Sequence, residues 1–269
     1  MTFLADSCAL LSSRLISTFK TFSKINSLFK SGFHINIRHE FRITMEVASV
    51  PPIVNIYRQA LRTFDDKRKH ELLTNLNSLK IMMDSLLPED LGYDKSYSSL
   101  EKWKPPEKAP CFKMPLHDHP NMHGLLKVIT GAVKIRTFSE YPLTEAIKVI
   151  DFQTRARHEA ARFGQGINKK RRFFAEVITD KVVKEHSETS MLTPTLSNYH
   201  EIQALDMPAA FFDILSPPYD TLIEGIGPRR CTYYNVANEI SRNLVELQES
   251  DVPRYFYCDQ APYLGPALV

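Results

Sequence analysis

Nothing in this 269-residue chain approaches the roughly 20 consecutive apolar residues that span a bilayer, so the sequence offers no membrane helix. Its four cysteines, Cys8, Cys111, Cys231 and Cys258, include no CxxC pair, which removes a zinc ribbon and a redox dithiol from consideration. A chain of this length that is 43% hydrophobic has core enough to do without disulfides, and a reducing intracellular compartment is the natural expectation. The net charge of +3 is too small to argue for a nucleic-acid partner. No internal repeat is present. Acids are scarce at the start, where Asp6 and Glu40 are the only two among residues 1–44.

That first stretch is instead rich in serine and basic residues, with Leu11, Leu15, Phe19 and Phe22 spaced as one helix face. The composition fits a mitochondrial transit peptide and fits a plain disordered extension equally well. Met45 opens a more ordinary segment, so the expected division is an extension over 1–44 and a single functional domain over 45–269. The expected state is a monomer in the cytoplasm, or in the mitochondrion if residues 1–44 direct it there. Over residues 51–87, Leu72, Leu76, Leu79, Met83 and Leu86 step by four and three, which predicts helix with one apolar stripe for docking on a core. Residues 88–113, punctuated by Pro88, Pro105, Pro106 and Pro110, read as a loop. From Lys113 the period becomes two, as at Val133, Ile135 and Thr137, and strand signals return over 173–183, 189–192, 209–215 and 230–236. The basic run over 154–172 reads as a solvated loop. Many short strands separated by turns indicate an all-β sandwich or barrel.

Chemistry concentrates in Met114–Gly124. His117 and His119 stand at i and i+2, which on a strand puts both imidazoles on one face, where they could share iron, zinc, copper or nickel. An HxH pair is a modest signal alone, since hydrogen-bonded core histidines give the same pattern. His200, in Thr193-Pro-Thr-Leu-Ser-Asn-Tyr-His200, could supply a third ligand from another strand of a barrel. Asp213 sits in an apolar strand context, where a lone acid is costly unless paired. It either faces the site or ties down the Pro217–Pro218 turn. Cys231 and Tyr233 share a strand face by the same i, i+2 rule.

Four motifs, PLHDHPNMHGLLKVITGAVKI, LTPTLSNYHEI, AAFFDILSPPYD and CTYYNV, occur in an order that strongly resembles the 2-aminoethanethiol (cysteamine) dioxygenase and plant cysteine oxidase family of thiol dioxygenases. The resemblance covers about half the chain, and the closing APYLGPALV is similar to that family's end. It implies a cupin, a double-stranded β-helix or jelly-roll barrel, here with N-terminal helices. It also implies one non-haem Fe(II) on His117, His119 and His200, with O₂ as co-substrate. The expected activity is conversion of a 2-aminothiol, either cysteamine or the N-terminal cysteine of a protein, to its sulfinic acid, the chemistry of an N-degron oxygen sensor. Asp213 is then a pocket residue that orients the substrate amine, Tyr219 lines the same mouth, and Cys231 and Tyr233 are the positions where some relatives carry a thioether crosslink. Ordinary cupins place a glutamate four or five residues after the HxH pair; His123 and Gly124 stand there, so no carboxylate ligand is expected.

One departure matters. Two aliphatic strands are expected just before the HxH motif, where the chain reads YDKSYSSLEKWKPPEKAPCFK, rich in lysine, serine and proline. Proline removes a ladder hydrogen bond, so two strands are expected to be missing and barrel closure is placed in question. The alternative function is therefore a metal-binding cupin without turnover.

Overall fold

The computed structural model describes residues 2–4, 50–93, 113–163, 170–205, 209–256 and 263–268. Most of residues 1–44, and the lysine- and proline-rich stretch 94–112 that carried the expected departure, lie outside them. β1 is a three-residue strand, Thr2–Leu4, paired antiparallel with β8. Two helices follow, α1 (Pro52–Thr63) and α2 (Leu72–Asp84), joined by a 3-10 turn. α1 opens on proline, whose missing N–H costs nothing at a helix start.

The strands are β2 (Lys113–Asp118), β3 (His123–Thr130), β4 (Ala132–Glu140), β5 (Arg172–Lys184), β6 (Ser190–Leu192), β7 (Tyr199–Ala204), β8 (Ala210–Ser216), β9 (Leu222–Ile223), β10 (Gly227–Pro228), β11 (Tyr233–Glu239) and β12 (Leu244–Ser250). Six of them close an antiparallel barrel in the order β11-β12-β5-β4-β7-β2. A second sheet runs β1-β8-β3-β6, and β9 and β10 form a small hairpin. This is the expected all-β architecture with N-terminal helices. These described strands close the barrel among themselves, so the closure placed in question by the sequence is present.

The period of two explains how the layers meet. Along β3, Leu125 and Ile129 face outward with Phe212 and Ile214 of β8, and join the stripe Leu76, Leu79, Met83 and Leu86 in one buried cluster. Leu126 and Val128 face the other way, into a cluster with Val133, Ile135, Val183 and Ile202 of the barrel. The helices thus cap the outer face of the β3–β8 sheet, as the stripe predicted. Asp213 is registered opposite Leu126, on the inner face between the sheets.

The basic run is a correction. Residues Phe152–Phe163 form helix α4, preceded by α3 (Leu143–Val149), in place of a solvated loop. Among its described side chains only His158 is buried, where its Nδ1 meets Glu246 Oε1 at 2.7 Å and its ring lies on Phe174. A helix docked through one histidine has no apolar stripe for periodicity to find.

Candidate metal centre

β2 and β7 are antiparallel neighbours, and His117 is registered directly opposite His200. His119 follows just past the end of β2, where its backbone N–H and carbonyl are both held by Asn198: the His119 N–H donates to Asn198 Oδ1 at 3.3 Å and Asn198 Nδ2 donates to the His119 carbonyl at 2.8 Å. The strand register and this amide brace bring three imidazoles together. Their ring centroids stand 4.6 to 4.8 Å apart, and one ligand nitrogen from each lies within 4.8 Å of the others.

The tautomers follow from the hydrogen bonds. His117 Nδ1 lies 2.8 Å from the Pro115 carbonyl, which only accepts, so the proton is on Nδ1 and Nε2 carries a lone pair. Tyr219 Oη lies 2.7 Å from the Asp118 carbonyl and 2.8 Å from His119 Nδ1. Its single hydrogen goes to the carbonyl, so His119 Nδ1 donates to the tyrosine oxygen and His119 Nε2 is likewise free. Burial holds the His117 pKa down to about 4 and pushes His119 and His200 well below the ordinary value, so all three are neutral near pH 7. His119 Nε2 and His200 Nε2 lie 3.2 Å apart. Two nitrogens bound at about 2.1 Å to one ion and at right angles stand about 3.0 Å apart, so this spacing suits a shared metal ion.

Among the described residues no carboxylate completes the set. A Cβ on Gly124, one of the two positions a cupin glutamate would use, would come within 2.8 Å of Leu215 and 2.9 Å of Leu192, so a side chain there would have to push those leucines aside. His123 is half-buried, with its ring 6.4 Å from that of Phe64, and is not part of the metal-ligating group.

Three expected site residues surround the triad. Tyr219 stands behind His119, bonding the ligand itself rather than only lining the mouth. Tyr233 is registered opposite His117, with ring centroids 6.3 Å apart. Cys231 hydrogen-bonds with both Tyr219 and Tyr233, and burial pushes its thiol up to about 12. Asp213 comes from the other sheet: it faces inward, near enough to Tyr219 to help raise the pKa of its hydroxyl, its carboxylate accepts from the Ile214 N–H, and burial raises its pKa to about 7. Sequence reasoning missed Asn198 and Asp118. Asp118 is buried beneath β11, which raises its carboxyl to about 6 against the hydrogen bonds from Thr232 and Tyr234. The one available signal was a buried acid between two ligands, and alternation alone reads that position as pointing to solvent.

The PCO_ADO family pattern matches residues 108–268. The chain belongs to the PCO_ADO family. It is a metal-binding cupin of the thiol dioxygenase class. It is similar to human 2-aminoethanethiol dioxygenase, 30% identical over 232 residues, which are 72% of this chain and 81% of that protein. The mouse 2-aminoethanethiol dioxygenase is 34% identical over 177 residues, 58% of this chain and 62% of its own length. A probable 2-aminoethanethiol dioxygenase of Dictyostelium discoideum is 27% identical over 135 residues, half of each chain.

Proposed function

We propose that this chain is an Fe(II)-dependent dioxygenase that converts a 2-aminothiol, either cysteamine or the N-terminal cysteine of a protein, to its sulfinic acid with O₂. The observation that carries the reading is the ligand set: three neutral, buried imidazoles with no carboxylate beside them among the described residues. His117, His119 and His200 would hold a ferrous ion, which would supply the positive charge that favours the thiolate form of a substrate and the site at which O₂ is activated.

The chain's own residues do the rest. Asp213 lies buried on the inner face with one hydrogen bond from Ile214, which leaves acceptor capacity for a substrate amine two carbons from sulfur. Tyr219 fixes the orientation and tautomer of His119. Cys231 and Tyr233 hydrogen-bond to one another beside His117, at the two positions where some relatives carry a thioether. The sulfinic acid is the second oxidised rung above the thiol, and both its oxygens come from one O₂.

The test is reconstitution of the full chain with Fe(II) under anaerobic conditions, followed by air and either cysteamine or a Cys-initiated peptide. Mass spectrometry should show a gain of two oxygen atoms on sulfur that requires iron and is absent in His200→Ala. Stoichiometric iron with neither substrate oxidised would replace this reading with a metal-binding cupin that has no turnover.

A further inference from the structure

The barrel has one thin seam. β2 meets β11 at a single registered pair, Tyr233 opposite His117, whereas every other neighbouring pair in the barrel is laddered over several residues. Both ends of that pair belong to the site, since His117 is a ligand and β11 begins just after Cys231. What holds the seam is Asp118. Its Oδ1 accepts from the Thr232 N–H at 2.8 Å and its Oδ2 accepts from the Tyr234 hydroxyl at 3.0 Å. Its own N–H donates to the Thr232 carbonyl at 3.1 Å, and its carbonyl takes the Tyr219 hydroxyl. One residue, 7% exposed, therefore grips both neighbours of Tyr233 and the tyrosine that orients His119. Among the described residues no salt bridge neutralises this acid. Burying a carboxylate costs stability even when it is hydrogen-bonded, as here by Thr232 and Tyr234 with Arg171 nearby, and an apolar residue would close a barrel seam at lower cost. The acid at this position is therefore better explained by placement than by stability.

We propose that Asp118 is a positioning residue whose carboxylate sets the place of Cys231 and Tyr233 relative to the three-histidine centre. It acts through β11 and touches neither substrate nor metal. The inference rests on the dioxygenase reading for its kinetic consequence, but not for its structural one. Losing the clasp lets the 230–236 segment move away from β2 while β7, which carries His200 and is laddered to both β2 and β4, stays in place.

The test compares wild type, Asp118→Ala, Asp118→Asn and Tyr234→Phe. In Asp118→Ala, iron per chain is expected to stay within about twofold of wild type. Hydrogen exchange over 230–236 should quicken at least about tenfold, with 199–204 unchanged, and kcat per iron should fall about tenfold or more with KM moving less. Asp118→Asn keeps an acceptor for Thr232 and a partner for Tyr234, so it should recover most of that loss. Tyr234→Phe removes one of the two carboxylate bonds with little change of shape, and should fall between; it decides the matter if Asp118→Ala does not fold. Activity lost only in proportion to iron, or unchanged exchange over 230–236 in Asp118→Ala and Tyr234→Phe, would overturn the proposal. A wild type that oxidises neither substrate would overturn the dioxygenase reading, while the exchange data would still decide whether Asp118 holds β11.

Discussion

Replacing Tyr219 with phenylalanine isolates one hydroxyl at the back of the metal site. The ring keeps its volume, but His119 Nδ1–H and the Asp118 carbonyl lose their shared partner, which now satisfies them at 2.8 and 2.7 Å. His119 is 2% exposed, so water does not readily replace the lost bond. Leaving one buried polar group unsatisfied costs about 1–3 kcal/mol. The two groups together give about 2–5 kcal/mol, since one can relax toward the other. A similar figure follows from ligand support, because loss of a hydrogen bond to a metal-bound histidine typically lowers affinity about 10- to 100-fold. Competition for Fe(II) against a chelator under anaerobic conditions should therefore show affinity in Tyr219→Phe reduced about 10- to 100-fold. Melting of the metal-free protein should show a loss of a few kcal/mol, roughly in line with the hydrogen-bond cost. An unchanged iron affinity would refute the argument that this hydroxyl fixes the ligand's tautomer, and would return Tyr219 to the simpler role of lining the mouth.

Three further outcomes are expected. Asp213 has a folded pKa near 7 through burial, above its unfolded value of about 3.9, so the folded state holds the proton more tightly and the contribution of Asp213 to stability falls as pH rises from about 4 through 7. Three units correspond to at most about 4 kcal/mol, so the difference between wild type and Asp213→Asn in a series of denaturant melts should shift by up to that amount over this range, with turnover slowed and iron retained; parallel wild-type and variant curves would contradict it. Gly124→Ala should destabilise by about 1–3 kcal/mol in the same assay, because the new methyl meets Leu215 and Leu192 at under 3 Å; an unperturbed variant would mean that the site has room after all. His158→Ala should cost about 3 kcal/mol by stranding Glu246, which keeps only Arg172 at 3.6 Å and Asn238, with iron binding unchanged; a neutral result would show that α4 is docked by something else.

The sequence made the ligand pair legible because His117 and His119 obey a local rule, the alternation of a strand. Its match to His200 came from family resemblance, and the structure supplies the physical basis in the register that puts His117 opposite His200. The helix stripe from Leu72 to Leu86 was legible for the same local reason. The failures share the opposite property. α4 presents a buried histidine where a stripe would be apolar, and its partner Glu246 lies 88 residues away. Asp118 acts across the barrel seam on residues 114 and 116 positions later, and Asn198 braces a ligand 79 residues earlier. Such side chains look like solvated polar residues until the barrel closes around them. Strand β12 was also missed, since its buried Glu246 interrupts an otherwise apolar start.

The most direct test of the central claim is oxidation of cysteamine or a Cys-initiated peptide under isotopically labelled ¹⁸O₂ by the iron-loaded protein, read by mass spectrometry. The account predicts a sulfinic acid in which both added oxygens carry the label, and no product in His200→Ala. A product with one labelled oxygen, or stoichiometric iron with no oxidised thiol, would contradict it.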